Sequence, residues 1–130
     1  MKENGKIGKY MDYRISDETI DVYVKEYHGG FKNKRFFQKD GTFYYDLGRG
    51  NFLLISPSKN NNNIVEFFRK KNNKNKEYSI CIECHEIRDG KFGKTTVKVN
   101  YTCDEKNYIK VLGDATKYFK QLKKELEMIN

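Results

Sequence analysis

From Thr19 to Tyr27 apolar Ile20, Val22 and Val24 alternate with Asp21, Tyr23 and Lys25. Alternation is the period of a half-buried strand, so the first element is expected to be a strand, broken at Gly29-Gly30. Lys34–Gln38 reads as a second strand. Asp40-Gly41 is a two-residue hairpin signal, leading into Thr42–Asp46, and Gly48-Arg49-Gly50 marks another turn. In Asn51–Ser56 the run Phe52, Leu53, Leu54, Ile55 leaves no polar side, the pattern of a strand buried on both faces.

Beyond Pro57 the pattern weakens. Pro57–Asn63 reads as a loop, Ile64–Arg69 fits either a strand or a helical turn, and Lys70–Lys76 is a polar basic tract; residues 57–76 are expected to form a mobile basic loop. Tyr78–Ile87 and Thr95–Tyr101 are strand-like, with a turn at Asp89-Gly90. Asn107–Leu112 reads as a last strand ended by Gly113. Asp114 then caps a terminal helix, in which Ala115, Tyr118, Phe119, Leu122, Leu126 and Ile129 recur at spacings of three and four and form a core-facing stripe.

Strands followed by a helix imply an α+β fold: a curved antiparallel sheet of about 6–8 strands, its C-terminal helix on one face and the other face free. Residues 1–15 read as a flexible N-terminal arm and residues 16–130 as one domain. No apolar run approaches the roughly twenty residues of a membrane span, and the N-terminus lacks the apolar centre of a secretory signal. The expected setting is cytoplasmic, or nuclear in a eukaryote, and not secreted.

Charge adds a partner class. Residues 31–76 hold eleven Lys/Arg against three acids, a surplus equal to the net charge of +8, and the rest of the chain balances. Rings interleave with these bases. Cations that follow phosphates, mixed with rings on which bases stack, suit single-stranded DNA or RNA. Lys32, Lys34, Arg35, Lys39, Arg49, Lys70 and Lys71 are the phosphate candidates; Phe36, Phe37, Tyr44 and Tyr45 are the stacking candidates, with one of each adjacent pair exposed because strand neighbours face opposite ways. The bland reading is a solubilising surface: the 21 Lys against 5 Arg and the run Asn60–Asn63 are what AT-rich codons produce.

Cys81-Ile82-Glu83-Cys84-His85 has the spacing of a haem attachment or half a zinc site. In a strand, Cys81 and Cys84 face opposite ways, so the expectation is free thiols, no metal and no cofactor, with Cys81, Cys84 and His85 as the alternative ligand set. His85, between Glu83 and Glu86, reads as a surface strand residue. Asp17-Glu18 and Asp104-Glu105 read as turn and cap residues. No set of groups converges into an active site; a small basic ribonuclease working through Arg, Lys and Tyr is the enzymatic alternative.

Two stretches, Thr42–Ser56 (TFYYDLGRGNFLLIS) and Tyr78–Leu126, whose end reads NYIKVLGDATKYFKQLKKEL, resemble single-strand binders of the Whirly and Pur type and related transcription-coactivator domains. The resemblance implies a curved β-β-β-β-α unit, binding along a sheet face and dimerisation through helices. The first half departs from the doubled unit by lacking a full helix after its strands. The leading reading is therefore non-enzymatic binding of single-stranded nucleic acid with low sequence specificity, as a homodimer. Its rival is a small factor that docks on an acidic protein surface, such as a phage- or mobile-element-encoded inhibitor of a host nucleic-acid-processing enzyme.

Overall fold

The computed structural model describes residues 15–37, 40–58, 62–88 and 91–128. All of the expected N-terminal arm except Ile15, the residue Lys39 and the side chain of Phe37 lie outside the described residues.

The first described element is helix α1 (Asp17–His28), where alternation points to a strand. Ile20, Val22 and Val24 satisfy a period of two, but Ile20, Tyr23 and Val24 satisfy the helical spacing equally, and packing decides. Ile20, Tyr23 and Val24 are buried, while Val22 is 45% exposed. The ends explain why the helix forms here. Ser16 accepts from the Thr19 amide at 3.1 Å, Asp17 and Glu18 sit in the first turn where the helix dipole favours anions, and Gly29 closes the helix at φ 79°.

Six strands follow: β1 (Asn33–Phe37), β2 (Thr42–Gly48), β3 (Asn51–Pro57), β4 (Asn63–Asn72), β5 (Glu77–Arg88) and β6 (Lys91–Asp104). They pair in sequence order as one open antiparallel sheet. The expected loop at 57–76 is largely strand β4. Its periodicity disappears because Ile64, Val65, Glu66 and Phe67 are all buried: a central strand covered on both faces shows no polar side. The basic residues Lys70 and Lys71 belong to the ladder as well, paired with Ser79 and Tyr78.

Helix α2 (Tyr108–Met128) closes the fold. It starts six residues before the expected cap at Asp114, so Asn107–Leu112 is not a strand. Ile109, read there as a strand residue, is 76% exposed on the first turn. The turn that launches the helix is tied by Asp104, whose Oδ1 accepts from the Asn107 amide at 2.9 Å, in keeping with the turn role expected of that acid.

The helices cover opposite faces. Ile20, Tyr23 and Val24 of α1 pack on Phe43, Tyr45, Leu53, Ile55 and Ile64. Ala115, Phe119 and Leu122 of α2 pack on Val65, Phe67, Ile80 and Ile82, as the stripe predicted. Each fully buried apolar side chain of this size stabilises by about 1.5–3 kcal/mol. The expected free sheet face is thus half occupied by α1. No helix among the described residues is long and apolar enough to cross a membrane.

Candidate nucleic-acid interface

Antiparallel pairing gathers charge that the sequence spreads out. Asn33 is opposite Asp46, Gly48 is opposite Asn51, and Asn72 is opposite Glu77. The start of β1, the β2–β3 turn and the β4–β5 turn therefore share one end of the sheet. Lys32, Arg49, Lys70, Lys71, Lys74 and Lys76 stand at that end, with Glu77 among them.

The β2–β3 turn is shaped by three consecutive residues in the left-handed region, Gly48 (φ 86°), Arg49 (φ 58°) and Gly50 (φ 79°). Asp46 stabilises it by accepting from the Gly48 amide at 2.8 Å. The turn presents an exposed Arg49 and lets the Lys71 stem pass close over Gly50, where an added Cβ would lie 3.2 Å from Lys71 Cδ. Lys71 is fixed further by its amide, which donates to Asn51 Oδ1 at 2.8 Å. A cleft of about 430 Å³ lies between these parts, lined by Arg49, Lys70, Lys71, Asn72, Glu77 and Tyr78 among others.

A row of rings runs from this cleft across the sheet, on the side that carries α2. Tyr44 stacks on Phe52 at 5.5 Å between centroids, and Phe52 on Phe67 at 6.0 Å. Arg69 lies 4.5 Å from the Phe52 centroid, 5.6 Å from Tyr78 and 5.5 Å from Tyr108. Tyr78 and Tyr108 stack at 4.0 Å, and Lys71 Nζ stands 5.8 Å over Tyr78. Arg69, Phe52, Tyr78 and Tyr108 were not among the candidates. Arg69 and Phe52 lie in the basic, aromatic window, so alternation with Phe67 and Lys71 was a usable signal; for Tyr108 there was none, because its place depends on where α2 docks.

The expected site residues divide between two faces. Arg35 is exposed on the strand partner of Tyr44, and Tyr44 is half-buried on the row just described. Lys34 and Phe36 fall on the opposite side: Lys34 pairs with Asp21 of α1 at 3.1 Å, and Phe36, 43% exposed, packs edge-on against Phe43. Tyr45 is corrected outright. It is fully buried, and its hydroxyl donates to Asp21 Oδ1 at 2.7 Å. Burial, then the bond to Asp21, pushes its ionisation well above that of an ordinary phenol. It holds α1 to the sheet and offers no ring to a base.

Cys81 and Cys84 lie on opposite faces. Cys81 pairs with Phe68, which packs under α1, and Cys84 pairs with Val65 in the α2 core. They do not converge on one ion. His85 is buried, not a surface residue. No family model, no curated protein and no solved structure matches the chain.

Proposed function

We propose that this chain binds single-stranded nucleic acid at the basic end of the sheet, with little sequence preference and no chemistry of its own. The observation that carries the reading is the convergence of Arg49, Lys70, Lys71, Lys74 and Lys76 on one end of the sheet, around one cleft. Tyr78 lines it but is 9% exposed and stacked on Tyr108, so the stacking ring of this reading is the half-buried Tyr44. Cations neutralise phosphates at any sequence, and a ring face accepts any base. The exposed Arg35 and half-buried Tyr44 extend the same surface along β1 and β2, the route that the Whirly- and Pur-type resemblance implies. A cytoplasmic or nuclear homodimer belongs to this reading.

Fluorescence anisotropy tests it, with labelled single strands of about 20 nucleotides in DNA and RNA form and a duplex, titrated from about 50 to 300 mM salt. Four phosphate contacts predict a loss of about 50-fold in single-strand affinity between about 50 and 200 mM. Binding that ignores salt, or that prefers the duplex, overturns the proposal. Weak binding of all three, with a protein complex that survives nuclease treatment, transfers the basic end to an acidic protein partner.

A further inference from the structure

On the opposite side of the sheet, Glu66 of β4 and Glu83 of β5 are direct cross-strand partners. Like charges placed so repel, and burial removes the water that would screen them. Glu66 is 4% exposed, and the Glu83 side chain is 23% exposed. Their surroundings match. Each carboxylate has one oxygen held by a neutral donor: the Tyr23 hydroxyl donates to Glu66 Oε2, and the Cys81 thiol donates to Glu83 Oε2 at 3.1 Å. Each presents its other oxygen to an imidazole: Glu66 Oε1 to His28 Nε2, and Glu83 Oε1 to His85 Nε2.

His85 is oriented from behind, its Nδ1 3.0 Å from Thr95 Oγ1. In the tautomer with Nδ1–H donated to that hydroxyl, Nε2 carries a lone pair aimed at the carboxylates, and a cation between them would join all three groups. Lys98 is a poor candidate, because its Nζ is 3.6 Å from Glu83 Oε2 and its side chain is 58% exposed. Donor atoms of Glu66, Glu83 and His85 all lie within 4.8 Å of one another. Ligands on one ion, each about 2.0–2.2 Å from it, can be no farther apart than roughly twice that length, so a small closure brings them onto one centre. A cavity of about 280 Å³, lined by Tyr27, His28, Glu66, Phe68, Cys81 and Glu83, adjoins them.

We propose that Glu66, Glu83 and His85 bind a divalent transition-metal ion, zinc above all, with His28 held against Glu66 beside them. Imidazole together with carboxylate suits zinc, whereas magnesium and calcium favour oxygen alone. Tyr23, Cys81 and Thr95 are the outer partners that fix the ligands' orientation. The site is separate from the basic cleft, and neither reading depends on the other.

The test is calorimetric titration of the metal-stripped full chain with zinc, followed by cobalt(II) read in the visible spectrum. The expected result is one zinc per chain and a tetrahedral cobalt spectrum. Glu83→Gln should abolish saturable binding. Thr95→Val, at an exposed position in β6, should keep the fold and weaken zinc by about ten- to a hundredfold, which keeps the test decisive if Glu83→Gln does not fold. Absence of saturable zinc binding in the natural chain overturns the proposal, as does binding that these substitutions leave unchanged.

Discussion

The Arg69 guanidinium lies 4.5 Å over the ring of Phe52, its partner across β3 and β4. The same group donates to the Tyr108 hydroxyl at 2.6 Å and to the Gly50 carbonyl. One side chain thus joins the β2–β3 turn, the sheet and the first residue of α2. Its charge is engaged inside the protein and is not free to meet a phosphate. Arg69→Ala should cost about 2–3 kcal/mol in urea unfolding, from lost cation–π contact and charged hydrogen bonds. Arg69→Lys should recover less than half of that, because an ammonium cannot span two acceptors while lying flat on a ring.

Helix α1 can be tested against the strand that alternation suggested. A strand would bury Ile20 and Val22 alike. The helix buries Ile20 and leaves Val22 45% exposed. Ile20→Ala should therefore cost about 2–5 kcal/mol, and Val22→Ala should stay within about 0.5 kcal/mol, both read from denaturant midpoints. Equal losses would restore the strand.

Adjacent tyrosines should separate binding from stability. Tyr44 shares the ring row with Phe52, while Tyr45 is buried and bonded to Asp21. Tyr44→Ala should lower single-strand affinity by about 1–3 kcal/mol. Tyr45→Phe should leave that affinity unchanged and cost about 1 kcal/mol of folding stability. Anisotropy and urea unfolding of the two variants, side by side, give both numbers.

Asp40, in the β1–β2 turn, receives Lys123 Nζ from α2 at 2.9 Å. Slight burial pushes its carboxyl up, but the hydrogen bonds from Lys123 and the Thr42 amide, with the lysine charge, outweigh this and hold it below the usual carboxylate range. The folded state therefore binds fewer protons at this group than the unfolded chain. Its contribution is present above the ordinary carboxylate pKa and is lost as pH falls through the lowered one. Asp40 is more than half exposed, so solvent limits the effect to at most about 1 kcal/mol. Asp40→Asn should be less stable than the natural chain at neutral pH, and the gap should close as pH falls below the ordinary carboxylate range and in high salt.

The sequence alone determined the α+β class, the hairpin at Asp40-Gly41, the turn at Gly48–Gly50, the buried character of β3 and the packing stripe of α2. Each of these is written in neighbouring residues, as a turn chemistry or a period that survives because one side of the element is wet. Tertiary structure decided the rest. Ile20–Val24 carries both periods, and only the docking of Tyr23 on the sheet selects the helix. β4 lost its period because both of its faces are covered. The bases Lys32, Arg49 and Lys70–Lys76 become one surface, and Glu66 meets Glu83 and the two histidines, through strand register and helix placement. Those are set by pairing between residues far apart in the chain, and no local pattern encodes them.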